Sequence, residues 1–259
     1  MRSGGIDLST DPRKTGVATI DWHADGARLT HVALGADDDD LVALVDRADR
    51  TGVDCPLGWP TAFVDYVVAH RDGGLDLDVP LSRAPLLLRA TDRYVVERVG
   101  VRPLSVSAER IGATAMRCAA VLSRLVRAGT VVDRTGGSGA VVETYPAAAL
   151  KIWGLPYRTY KGSSAEARTV RARLLEELAA SVPWLDLGGH EPFCLDHDDA
   201  LDAVVCALVA GLVLHGRCEP APPDAVQDAR TEGWIALPPA GLSDDPPLVP
   251  PARPRQGSP

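Results

Sequence analysis

The chain opens with three short apolar runs separated by polar turns. Residues 4–8, 16–22 and 27–34 each read as a strand, and Gly- and Asp-containing turns join them into a meander. The pattern then lengthens to a helical period. Four consecutive acids at 37–40 open a helix over 41–50, where negative charge favours the positive end of the helix dipole. Residues 52–54 predict a short strand, which Pro56 stops. Thr61 is expected to cap a helix to about His70. Ser107 is expected to cap a longer one to Arg127, with Ile111, Ala115, Cys118, Leu122 and Leu125 on its buried stripe.

Further along, 140–143 predicts a buried strand ending at Glu143, and Pro146 suits the first position of a helix through about Trp153. Ser163 or Ser164 begins the next helix, to about Ser181. The run 200–215 is apolar almost throughout and predicts a buried helix, and a final short strand is expected around 233–237. Strands interleaved with helices predict an α/β domain over residues 1–237, its central sheet mixed, five-stranded and flanked by helices. The irregular stretch 71–106 reads as an insertion covering a site, and the Pro-rich residues 238–259 as a disordered tail.

Composition narrows the class. Apolar content of 46% with 24% charged residues is that of a soluble globular protein. No run approaches the roughly 18–20 apolar residues of a membrane span, so no membrane partner is expected. The amino terminus enters strand pattern at once, without a signal-peptide core. Five cysteines (55, 118, 194, 206 and 218) form no CxxC pair, which predicts reduced thiols in a cytoplasmic protein. The formal charge of −8 weighs against tight, nonspecific DNA binding without excluding a nuclease, and no basic stripe is visible. Nearly all the basic residues are arginine, with lysine only at 14, 151 and 161.

The candidate chemistry lies in carboxylates. Asp7, Asp54 and Glu143 each stand at or near a strand end, and the apolar helix begins with Asp198, Asp199 and Asp202. Asp199 and Asp202 are spaced i, i+3 and Asp198 and Asp202 i, i+4, so either pair shares a helix face. Taken singly, Asp54 reads as a turn residue, Glu143 as an arginine partner and Asp198 or Asp199 as a cap. Asp202 resists such a reading, because an acid inside so apolar a helix is costly without a partner or an ion. Acids gathered at one sheet edge repel, and hard divalent cations such as Mg²⁺ or Mn²⁺ relieve the conflict. Two such ions, roughly 3.5–4 Å apart, serve phosphodiester hydrolysis. The reading fails if Asp7 lies more than about 10 Å from both Asp54 and Asp202.

The order of elements resembles the ribonuclease-H-like fold, and Asp199-Ala-Leu-Asp202-Ala resembles the carboxylate pair on the last helix of RuvC-type resolvases. More closely, six segments are similar to the domain-of-unknown-function family 429, described as predicted nucleases with a ribonuclease-H-like fold. They are Gly5-Ile-Asp-Leu-Ser, Val53-Asp-Cys-Pro-Leu-Gly-Trp-Pro60, Arg89-Ala-Thr-Asp92, Arg110-Ile-Gly-Ala-Thr114, Glu143-Thr-Tyr-Pro-Ala147 and Asp198-Asp-Ala-Leu-Asp-Ala203. The resemblance implies metal-dependent cleavage of nucleic acid, DNA or RNA, with Asp7, Asp54, Glu143 and Asp202 as metal carboxylates and Asp199 as an additional or alternative ligand.

Around this core stand secondary candidates. Lys161 is a candidate to steady charge on a scissile phosphate, against an ordinary exposed loop lysine. Arg89 and Arg93 around Asp92 either line the mouth of the site or form a surface ion pair, and the surface pair is the expectation. His190, Cys194 and His197 lack a fourth ligand for zinc, although His197 beside the acids suits a general base or outer partner. Two competing functions are a nucleotide-binding phosphotransferase of the actin-like or sugar-kinase type and a catalytically silent binding module.

Overall fold

A computed structural model describes residues 1–76 and 82–242. Residues 243–259 of the expected tail and 77–81 of the expected insertion lie outside the described residues. Strands β1 (Arg2–Asp7), β2 (Gly16–His23) and β3 (Gly26–Leu34) form the antiparallel meander that the apolar runs predict. In α1 (Asp38–Arg47), a capping box fixes the start. The Asp37 carboxylate accepts from the Asp39 and Asp40 amides, and the Asp40 carboxylate accepts from the Asp37 amide. The acidic block is thus structural.

Strand β4 (Arg50–Asp54) returns parallel to β1. After it come α2 (Thr61–Arg71), α3 (Ala84–Leu87), α4 (Ala90–Val99) and α5 (Ile111–Arg127). Helix α5 begins at Ile111 rather than at Ser107. The residues just before it form a turn held by the Ser105 amide, which donates to the Glu109 carboxylate at 2.5 Å. Strand β5 (Val141–Glu143) lies parallel to β4. The remainder is α6 (Pro146–Ile152), α7 (Ala165–Ser181), β6 (Leu185–Asp186), α8 (Glu191–Asp196), α9 (Asp198–Leu214) and α10 (Val226–Glu232).

The sheet is mixed and runs β5-β4-β1-β2-β3-β6. It has six strands where five were expected. The additional strand, β6, pairs only Leu185 and Asp186 with β3, too short a run to leave a period in the sequence. The strand expected at 233–237 contributes isolated bridges instead, Ile235 to Glu143 and Leu237 to Glu219.

Each sheet face has its own core. On one side Ile6, Val17 and Val53 pack with Leu41 and Val45 of α1 and Ala115, Cys118, Leu122 and Leu125 of α5. The other side belongs to α9, which lies across β1, β2 and β4 and is buried from Ala200 through Leu212. Each fully buried Val or Leu there contributes about 1.5–3 kcal/mol. Glycines let this helix approach. A Cβ at Gly5 would overlap the carbonyl oxygen of Ala203, and one at Gly52 that of Cys206. The two glycines are paired across β1 and β4, so the helix backbone rests on a floor without side chains.

Candidate functional site

Strand periodicity carries the glycine floor directly into the acids. Side chains two residues apart share a face, so Asp7 follows Gly5 and Asp54 follows Gly52 on the side occupied by α9. The parallel register pairs Asp7 with Asp54 as it pairs Gly5 with Gly52. Asp202 descends from the first turns of α9 and is fully buried. Carboxylate oxygens of Asp7, Asp54 and Asp202 all lie within 4.8 Å of one another. Three segments far apart in sequence therefore deliver acids to one point.

Their mutual repulsion appears in their proton affinities. Burial pushes the Asp7 carboxyl well above the usual range, and Asp202 and Asp54 push it further. Asp54 is pushed up to about 7, by burial first; Lys161 pulls it down while Asp202 and Glu143 push it up. Lys161 Nζ stands 2.5 Å from Asp202 Oδ2. The contact is ionic rather than an aligned hydrogen bond, since that oxygen has no hydrogen-bond partner among the described residues. The lysine side chain is half exposed along its stem, with the amine end turned into the acids. Its proton is held more tightly than an ordinary lysine's, chiefly by Asp202. The other oxygen, Asp202 Oδ1, accepts from the buried Tyr160 hydroxyl at 2.7 Å.

Residues 5–227 match the family described as Protein of unknown function (DUF429). The chain belongs to that family. No curated protein and no solved structure matches it.

The remaining candidates of this DUF429 chain fall around the three acids rather than among them. Glu143 pairs in register with Val53, one residue short of Asp54. A shift of one residue turns a strand side chain to the opposite face. Both Glu143 oxygens are engaged: Oε1 accepts from Arg89 Nη2 at 2.6 Å, and Oε2 from Arg89 Nη1 at 2.8 Å and the Leu57 amide at 3.0 Å. Asp199 is half-buried, its carboxyl raised by burial and then by Asp198 and Asp202. It stands outside the tight group formed by Asp7, Asp54 and Asp202.

The expected surface pair around Asp92 is buried instead. Arg89 and Asp92 have 1% and 0% of their side-chain surface exposed, and Arg89 bridges Asp92 and Glu143. Arg89 Nη1 also donates to the Glu232 carbonyl at 3.0 Å, while the Glu232 carboxylate accepts from the Thr61 and Ala90 amides. Burial works against the Arg89 charge, but Glu143 and Asp92 outweigh it and hold the guanidinium protonated. Removing one partner from such a network costs about 3–5 kcal/mol. The second half of the expected insertion is thus fastened to the end of β5.

Two contributors to the site went unread in the sequence. One is Tyr160, whose hydroxyl orients Asp202. Arg171 of α7 is buried beneath that loop and donates through Nη1 to the carbonyls of Tyr160 at 2.6 Å and Gly162 at 2.8 Å. Thr159, the positive-φ non-glycine residue among the described residues, stands at φ 60 immediately before Tyr160. A backbone held in this region near a site is over-determined by its surroundings, here by Arg171. The signal for Arg171 was present: it falls on the stripe of Ala167, Leu174, Leu175 and Leu178, where a charge demands a partner.

Proposed function

We propose that this protein is a divalent-metal-dependent phosphodiesterase acting on nucleic acid, built on a ribonuclease-H-like sheet. The observation that carries the reading is the meeting of Asp7, Asp54 and Asp202 with their carboxylate oxygens inside 4.8 Å. The sheet order supports it: a three-strand antiparallel meander extended through β1 by two parallel strands, β4 and β5, is the arrangement expected of that fold. Family membership is consistent with it and supplies no activity by itself.

The donor set fits Mg²⁺ or Mn²⁺. All three groups offer hard carboxylate oxygen, burial has raised the proton affinity of Asp7 and Asp54, and one Asp202 oxygen lacks an aligned hydrogen bond among the described residues. Asp7, Asp54 and Asp202 would hold the ion, with Asp199 the nearest further acid on the same helix face. When bound, the metal supplies an activated water and charge stabilisation at the leaving oxygen. The chain's own groups do the rest. Tyr160 fixes the orientation of Asp202, and Arg89 holds Glu143 through both its oxygens. Lys161 neutralises the acids before substrate arrives and is placed to face the phosphate afterwards.

The test is cleavage of labelled DNA, RNA and branched substrates with Mg²⁺ and Mn²⁺. Wild-type protein is expected to cleave at least one of them. Asp7→Asn is expected to reduce the rate by about 10²–10³-fold, on the scale of losing an electrostatic stabiliser in a buried site, with its circular dichroism unchanged. Undiminished cleavage by Asp7→Asn would refute the assignment.

A further inference from the structure

Asp7 and Asp54 form part of the lining of a cleft of about 900 Å³, whose walls come from β1, β4, the turn before α5, the start of α6 and the 157–161 loop. That volume is at the upper end for pockets that enclose a single small ligand, ~300–1,000 Å³. Its charge departs from that of the whole chain. The formal net charge is −8, yet the cleft is lined by Arg89, Arg102, Arg110, Arg158 and Lys161 against Asp7, Asp54 and Glu143. Arg89 and Glu143 neutralise each other, and Lys161 sits on Asp202. What remains is Asp7 and Asp54 together with three exposed arginines, Arg102, Arg110 and Arg158.

These three are exposed and weakly committed. Arg102 stands 4.0 Å from Glu109, at the limit of an ion pair. Among the described residues no carboxylate pairs with Arg110 or Arg158. Arg158 rests on the Tyr157 ring, its guanidinium carbon 5.0 Å from the ring centre. The start of helix α5 adds no anion site, because the Gly112 and Ala113 amides already donate to the Glu109 and Arg110 carbonyls.

Resting on the nuclease reading above, we infer that the cleft takes an unpaired strand, its phosphates held by Arg102, Arg110 and Arg158. Two arguments favour a single strand over a duplex. Asp7 and Asp54 line the cleft and meet the wholly buried Asp202, so a scissile phosphate must enter a space of one-ligand size, which a stacked duplex does not do without extruding a nucleotide. Duplex binding draws on a long track of cations, whereas these cations are confined to one rim on an otherwise acidic chain. A short polyanionic segment matches that layout.

The experiment is fluorescence anisotropy of the full chain, with Ca²⁺ in place of Mg²⁺, against a 5′-labelled strand of about 12 nucleotides. The strand is used as DNA and as RNA, alone and annealed to its complement, with ATP and inorganic phosphate as competitors. The single strand is expected to bind at least tenfold more tightly than the duplex. Arg110→Glu and Arg158→Glu are each expected to weaken it at least tenfold while leaving the melting temperature unchanged. Equal or tighter duplex binding, or no strand binding, overturns the inference. Binding of ATP alone overturns it too and assigns the cleft to free nucleotides. Failure of the nuclease reading is separable: a wild type that binds single strands but cleaves nothing with Mg²⁺ or Mn²⁺ loses the hydrolysis and keeps the strand preference.

Discussion

Asp54 is pushed up to about 7 because burial penalises its charge more than Lys161 repays it. A carboxylate with a folded value above its unfolded value of about 3.9 binds more protons folded than unfolded. Its contribution to stability is therefore full below about pH 4 and declines as pH rises toward 7. Asp54→Asn removes that penalty. In urea denaturation at pH 7.5 without divalent metal, it is expected to be more stable than wild type by on the order of 1–3 kcal/mol, with the difference vanishing near pH 4. A less stable variant at pH 7.5 would mean that Lys161 holds Asp54 by more than burial costs. At this scale Asp202 was legible, because an acid within an apolar helix has few explanations. The partners of Asp202 were not: Tyr160 and Lys161 sit about 40 residues away on a loop without periodicity.

At the scale of elements, the site depends on how closely α9 approaches β1 and β4. Gly5 and Gly52 set that distance, and each precedes an acid of the site by two residues. Gly5→Ala is expected to destabilise the fold by about 2–4 kcal/mol, the range of an overpacked or strained core position, measured by urea denaturation. A change below about 0.5 kcal/mol, the usual effect of a neutral surface site, would mean that α9 shifts freely and that the glycine floor does not position Asp202. The strands and the long helices were readable from periods of two and of 3.6. Register was not. Whether Glu143 joins Asp54 or turns away depends on a one-residue offset between β4 and β5, which the run 141–143 leaves undefined. The burial of Arg89 was equally hidden, because its partners come from β5 and the end of α10.

For the whole molecule, the proposed metal site predicts coupling between the ion and folding. At 100 times its Kd, a ligand bound only by the folded state adds ~2.7 kcal/mol. For a chain of this size that is a rise in Tm of about 5–10 °C. Mn²⁺ is expected to produce such a rise in scanning fluorimetry, EDTA to reverse it, and Asp202→Asn to abolish it. An equal rise in the Asp202→Asn protein would place the ion elsewhere. Charge also changes meaning at this scale: a net −8 reads as a poor nucleic-acid binder, yet folding brings Arg102, Arg110 and Arg158 to one rim. No helix among the described residues is long and apolar enough to cross a membrane.

Local pattern by itself determined the α/β class, the meander, the acidic helix start and the apolar helix α9, since each follows from periodicity and capping within a dozen or so residues. Tertiary structure alone decided which acids meet and which are claimed by arginine. Register, helix approach over glycine and the contact of Tyr160 with Asp202 are relations between segments roughly 40 to 200 residues apart, and no local period encodes them.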